Sequence, residues 1–136
     1  MIKYLIASHG RLASGLKNSA KLLTGLEAEL AVIDAYVDDS DYTEQIRIFM
    51  AQLNGEVGVI LTDIIGGSVN QKVVTEIGEH TNILVISNAN LPIVLALLMN
   101  TEPLEKKVVK KLIAECQVQL VEPHKEKELT DDSFFK

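Results

Sequence analysis

Residues 2–25 read IKYLIASHGRLASGLKNSAKLLTG, and the change of rhythm inside this stretch decides the fold. IKYLIA is a short, nearly unbroken apolar run, which predicts a strand over 2–7 buried on both faces. From Leu12 the period changes. Leu12, Leu16, Ser19, Ala20 and Leu23 recur at helical spacing, and Gly25 supplies a stop. Ser8, His9 and Gly10 sit at the junction. A histidine there either packs against the next helix with one ring nitrogen on backbone, or it is a reactive group at the mouth of a strand.

The exchange repeats downstream. LAVIDAYV (30–37), VGVILTD (57–63) and NILVIS (82–87) read as further strands. A helix capped by Ser40 or Asp41 follows the second and runs towards Gly55, and one opening at GGS (66–68) follows the third. Alternation of this kind predicts βαβ units, an open, mostly parallel α/β sheet and, through right-handed crossovers, helices on both faces. NLPIVLALLMN (90–100) is a short apolar helix, and EPLEKKVVKKLIAE (102–115) an amphipathic one with Leu104, Val108, Leu112 and Ile113 inward. CQVQLVE (116–122) alternates polar and apolar residues, suiting an edge strand or one exchanged with a partner. We expect one domain over 1–122 and a charged tail over 123–136, poorly ordered unless Phe134 and Phe135 dock.

Composition limits the function. With 136 residues, 47% of them hydrophobic and 24% charged, the chain holds one core. A net charge of −6 argues against a nucleic-acid surface. The single cysteine, Cys116, excludes an internal disulfide framework, and no cysteine–histidine set has zinc spacing, so no metal is expected. His80 and His124 read as solvated surface residues. The N-terminal apolar run is too short for a signal sequence, and no segment reaches the ~20 apolar residues of a membrane helix, so a cytoplasmic protein is expected.

If the strands are placed correctly, SHGR (8–11) and TDIIGGS (62–68) leave the carboxyl ends of neighbouring parallel strands, where ligands bind in open α/β sheets. Asp34 with DDSD (38–41), and SNAN (87–90), open on the same edge. Asp63 can accept a hydrogen bond from one imidazole nitrogen and leave the other reactive, or it can make an Asx turn with the glycine segment. Gly66 and Gly67 permit close approach, and Ser68 can cap the next helix; donors at a helix N-terminus suit a transient phosphate. The Walker lysine and the G-x-G-x-x-G spacing are both absent, so no nucleotide cofactor is expected.

These residues resemble the mannose-type EIIA domains of the bacterial phosphoenolpyruvate-dependent sugar phosphotransferase system. ASHGRLASGLKNSAKLLTG (7–25), LTDIIGGSVN (61–70) and SNANLP (87–92) carry the resemblance, which covers roughly residues 2–115. It implies strand order 2-1-3-4, with a fifth, antiparallel strand exchanged in a homodimer. It implies a phosphotransferase with a phosphohistidine intermediate, taking phosphate from HPr onto His9 and passing it to a cognate EIIB, with membrane EIIC and EIID engaged indirectly. Asp63 would hydrogen-bond the histidine and Ser68 would lie beside the phosphoryl group, with Gly10, Gly66 and Gly67 in support. Arg11 and Asn90 are candidates for partner contact. Two departures stand out: Val69 replaces a usual proline with Asn70 one place early, and Ser87-Asn88-Ala89 replaces a glycine-containing loop. The alternative reading is a regulatory module of the same fold, coupled to dihydroxyacetone kinase or a transcription regulator. A histidine phosphatase is disfavoured because Ser8, not arginine, precedes His9.

Overall fold

A computed structural model describes residues 2–26 and 30–123. Its first strand, β1 (Lys3–His9), has five consecutive buried residues, as expected of a strand covered on both faces. It runs two residues further than the apolar run suggested, because Ser8 and His9 continue the ladder opposite Asp34 and Ala35. His9 is therefore the last residue of a strand rather than part of a loop. The chain continues through α1 (Leu12–Thr24), β2 (Leu30–Ala35), α2 (Thr43–Ala51), β3 (Gly58–Thr62), α3 (Ser68–Ile77), β4 (Ile83–Ile86), α4 (Leu91–Met99) and α5 (Lys106–Glu115).

The strands form one sheet in the order β2-β1-β3-β4, with every neighbouring pair parallel. Alternation along β1 divides the core. Tyr4 and Ile6 face α1, α4 and α5, packing with Ala13, Leu16, Ala20, Ile93, Val94, Leu97 and Val109. Leu5 and Ala7 face α2 and α3, packing with Ile46, Phe49, Val69 and Val73. The helices leaving β1 and β3 thus lie on opposite faces of the sheet. That divergence opens a crevice at the carboxyl ends of these two adjacent strands. Truncating a fully buried central residue such as Ile60 to alanine costs about 2–5 kcal/mol, so the floor of the crevice is firm.

Several helix details correct the pattern-based expectation. Helix α1 stops at Gly25, which takes a left-handed conformation, but its buried residues are Ala13, Leu16 and Ala20, while Leu12 and Leu23 are exposed. The helix lies close against the sheet and α4, so small residues take the inside. In α5 the buried position is Val109, flanked by partly buried Leu104, Leu112 and Ile113; Val108 is not in the core cluster. Neither Ser40 nor Asp41 is the cap of α2: Tyr42 holds that position without a side-chain cap bond, and Asp41, one residue ahead of it, accepts the Thr43 amide at 2.9 Å in an Asx turn. Residues 117–122 form no strand within one chain, and Val118 and Leu120 are 93% and 85% exposed. Residues 124–136, with His124, Phe134 and Phe135, lie outside the described residues.

Candidate functional site

His9 projects from the end of β1, and Asp63 follows directly after β3. One carboxylate oxygen of Asp63, Oδ2, accepts both the His9 backbone N–H at 2.8 Å and a bond from ring Nδ1 at 2.8 Å. The other oxygen accepts the Ile64 amide at 3.0 Å. Burial alone would raise the Asp63 pKa, but the bonds from His9 and Ile64 outweigh it and hold the carboxyl below its ordinary value. An ionised carboxylate only accepts, so it assigns the hydrogen to Nδ1 and leaves a lone pair on Nε2. Asp63 is nearly enclosed, at 7% side-chain exposure, whereas the ring it holds is 45% exposed.

Ser68, the first residue of α3, places Oγ 3.1 Å from Nε2. The two helix N-termini beside His9 differ sharply. The first turn of α1 is sealed by side chains: Ser8 Oγ accepts the Ala13 amide at 2.8 Å and Asp34 accepts the Ser14 amide at 3.0 Å. Helix α3 has no side-chain cap, and the first amides of a helix lack intrahelical acceptors. The end beside Nε2 is therefore the one that can receive an anion.

The glycines support this arrangement by shape. Gly66 has φ of +77°, a conformation that strains residues with a Cβ, and a Cβ on Gly67 would sit 3.2 Å from the Ile64 carbonyl and 3.7 Å from the His9 ring. Their amides are already engaged: Gly10 N–H with Ala35 O, Gly66 N–H with Asn70 Oδ1, and Gly67 N–H with Ile64 O. Donors for an anion therefore come from Ser68 and the first turn of α3 rather than from the glycines. Arg11 is exposed beside the site. Asn90 lies outside the His9 cluster, and both ends of its amide are used within the chain, accepting the Ile93 amide to cap α4 and donating to the Cys116 carbonyl.

Four further residues complete the site. Asn70 donates to Thr62 Oγ1 at 3.1 Å and Ser87 Oγ at 2.6 Å while accepting from Gly66, so one side chain joins the ends of β3 and β4 to the glycine turn. Asn88 accepts the Ile65 amide at 2.9 Å. The two departures noted in the sequence are thus the residues that tie these loops together. Tyr36, just past β2, sets its ring 5.2 Å from that of His9 and its hydroxyl 2.9 Å from Ser68 Oγ, with the Tyr42 hydroxyl 3.2 Å behind. Burial, then the bond to Tyr36, pushes the Tyr42 pKa well up, whereas the hydrogen bonds it shares with Ser68 and then with Tyr42 lower that of Tyr36. The signal for Tyr36 was its place in the loop after β2, on the same edge as His9. Its sequence carries no further mark.

The sequence model of the family described as PTS system fructose IIA component (EIIA-man) matches residues 3–116. The chain belongs to this family. Solved structures share the fold of this EIIA. A protein described as a phosphoenolpyruvate-dependent sugar phosphotransferase system permease, from Klebsiella pneumoniae, is 28% identical, with a TM-score of 0.77 over 86% of this chain and 90% of that one. The EIIA component from Streptococcus agalactiae is 23% identical, with a TM-score of 0.72 over 88% and 97% of the two chains. A mannose/sorbose-specific IIA subunit from Enterococcus faecalis is 19% identical, with a TM-score of 0.73 over 88% and 96%. No curated protein sequence matches the chain. The EIIA is a phosphocarrier of sugar uptake, passing phosphate between HPr and EIIB through a phosphohistidine. Among the described residues no helix is long and apolar enough to cross a membrane, and no group of three or more His, Cys, Asp or Glu could hold a metal.

Proposed function

We propose that His9 carries the phosphoryl group on Nε2, receiving it from phospho-HPr and delivering it to a cognate EIIB in the cytoplasm. The observation that carries this reading is the Asp63 bond to Nδ1, which leaves Nε2 as the nucleophile beside Ser68 and the uncapped end of α3. In the first transfer the Nε2 lone pair forms a bond to phosphorus as the donor's nitrogen–phosphorus bond breaks and its electron pair returns to the donor imidazole. The Nδ1 hydrogen stays on the ring, which gains positive charge, and the Asp63 carboxylate offsets that charge. Ser68 and the first-turn amides of α3 contact the phosphoryl oxygens, which is the positioning and electrostatic work such transfers require. The second transfer runs the same steps outward.

Incubation with phosphoenolpyruvate, enzyme I and HPr tests this directly. One acid-labile, base-stable phosphoryl group should map to His9. Full labelling of His9→Ala would end the proposal.

The same reading extends to assembly, with residues 1–122 as the carrier domain. Among the described residues, strand β4 ends the sheet with one edge unpaired in a single chain. A groove of about 370 Å³ runs beside it, lined by Ile86, Ser87, Asn88, Ile113, Cys116 and Val118 among others. The alternating segment 117–122 leaves α5 at this groove with its apolar side chains in solvent. Unpaired edges and exposed apolar residues favour pairing with a second copy, and we assign 117–122 to a strand exchanged across a homodimer. Light scattering should report a dimer that truncation of 117–136 disrupts; a monomer at ~100 μM would overturn the exchange and leave the histidine chemistry intact.

A further inference from the structure

Tyr36 has a backbone φ of +66°. Residues with a Cβ pay for that conformation, and for a bulky side chain it is a genuine outlier that persists only where the surroundings hold it. Core packing does not explain the strain, because Tyr36 is 58% exposed. What holds the side chain is the site: the His9 ring lies 5.2 Å away at a tilt of 35°, the Tyr42 ring 5.5 Å away edge-on, and the hydroxyl joins Ser68 and Tyr42.

The hydrogen bonds form a chain with one consistent direction. Asp63 fixes the hydrogen on Nδ1, so Nε2 is an acceptor and Ser68 O–H donates to it. Ser68 Oγ is then free to accept from Tyr36 O–H, and the Tyr36 oxygen accepts from Tyr42. Tyr42 is 6% exposed and anchors the far end.

We infer that Tyr36 is a positioning residue for phosphoryl transfer, orienting the Ser68 hydroxyl at Nε2 and covering one side of the imidazole with its ring. The inference rests on His9 as the acceptor. In the resting site the Ser68 hydrogen occupies the Nε2 lone pair. When that pair bonds to phosphorus and the donor's nitrogen–phosphorus bond breaks, the Ser68 hydrogen has to leave Nε2. Tyr36 O–H, still donating to Ser68 Oγ, holds Ser68 in place while the Ser68 O–H turns towards a phosphoryl oxygen. No proton leaves either hydroxyl, and no bond to Tyr36 forms.

The test compares single-turnover transfer from phospho-HPr in the wild type, Tyr36→Phe, Ser68→Ala and the double variant, with the nitrogen chemical shifts of the His9 ring recorded for each. Phenylalanine keeps the ring and removes the hydroxyl. Tyr36→Phe should lower the rate at saturating phospho-HPr about tenfold, the size of one neutral hydrogen bond, leave the half-saturating concentration unchanged and move the Nε2 resonance. The double variant should be no slower than Ser68→Ala, since the hydroxyl acts through Ser68. A wild-type rate in Tyr36→Phe, or multiplicative losses in the double variant, would overturn the inference. Wild-type protein that takes no label on His9 would instead remove the acceptor assignment beneath it.

Discussion

Replacing Asp63 with asparagine separates the charge of the carboxylate from its shape. The wild-type side chain accepts three bonds: two on Oδ2 from His9, at 2.8 Å each, and one on Oδ1 from Ile64 at 3.0 Å. An amide has one oxygen, so it cannot serve both sides. With its oxygen towards His9 it keeps both histidine bonds and turns its NH₂ towards the Ile64 amide, which is exposed enough for water to replace the lost acceptor. With its oxygen towards Ile64 it leaves the His9 amide unpaired and forces the ring hydrogen onto Nε2, abolishing the nucleophile. The first orientation is the cheaper, so the protein should fold with the productive tautomer. What it loses is charge assistance to a ring that becomes cationic. Hydrogen bonds to charged groups contribute about 1.5–3 kcal/mol against about 0.5–1.5 for neutral ones, a difference of roughly 1–1.5 kcal/mol. That corresponds to about tenfold in rate. Rapid-quench transfer from phospho-HPr at saturating concentration measures it, and an unchanged rate constant would refute the role assigned to the carboxylate.

Three further outcomes are expected. The Asp63 pKa lies below its unfolded value of about 3.9, so its stabilisation is full above that pH and is lost as pH falls through the folded-state value. In urea unfolding the stability gap between wild type and Asp63→Asn should hold steady from pH 7 to about 5 and shrink on further acidification; a widening gap would contradict this. Asn70→Ala removes three bonds at a buried position and should cost about 2 kcal/mol, or roughly 6–10 °C in melting temperature by calorimetry. Gly66→Ala keeps the space around it but forces a Cβ onto φ of +77°, which should cost about 1–2 kcal/mol in denaturant unfolding.

The parts of this architecture legible in the sequence are those written in short-range pattern. The apolar run before His9 gave a central strand, Gly25 ended α1, and Asp63 and Ser68 stood where paired strand ends would bring them to the histidine. Periodicity places Leu16 and Ala20 inside, as found, but does not say how close a helix lies to its sheet, which is why Leu12 and Leu23 of the same stripe are exposed and Ala13, outside it, is buried. Tyr36 was missed for a different reason. Its side chain is bonded to residues 6 and 32 positions away, and tyrosine carries no local preference for positive φ as glycine or asparagine would. Asn70 was visible as a displaced asparagine, but its role emerges only when the ends of β3 and β4 lie side by side.

The parallel sheet has a kinetic consequence. All four strands point their carboxyl ends the same way, so the loops that frame Nε2 share one rim. A phosphoryl donor and a phosphoryl acceptor must therefore come through the same doorway, and neither can enter until the other has gone. Turnover is a relay run in alternating visits, with the loaded carrier diffusing free between them. Steady-state velocities with donor and acceptor varied together should give parallel double-reciprocal lines, and excess of the unphosphorylated donor should slow delivery by blocking the entrance.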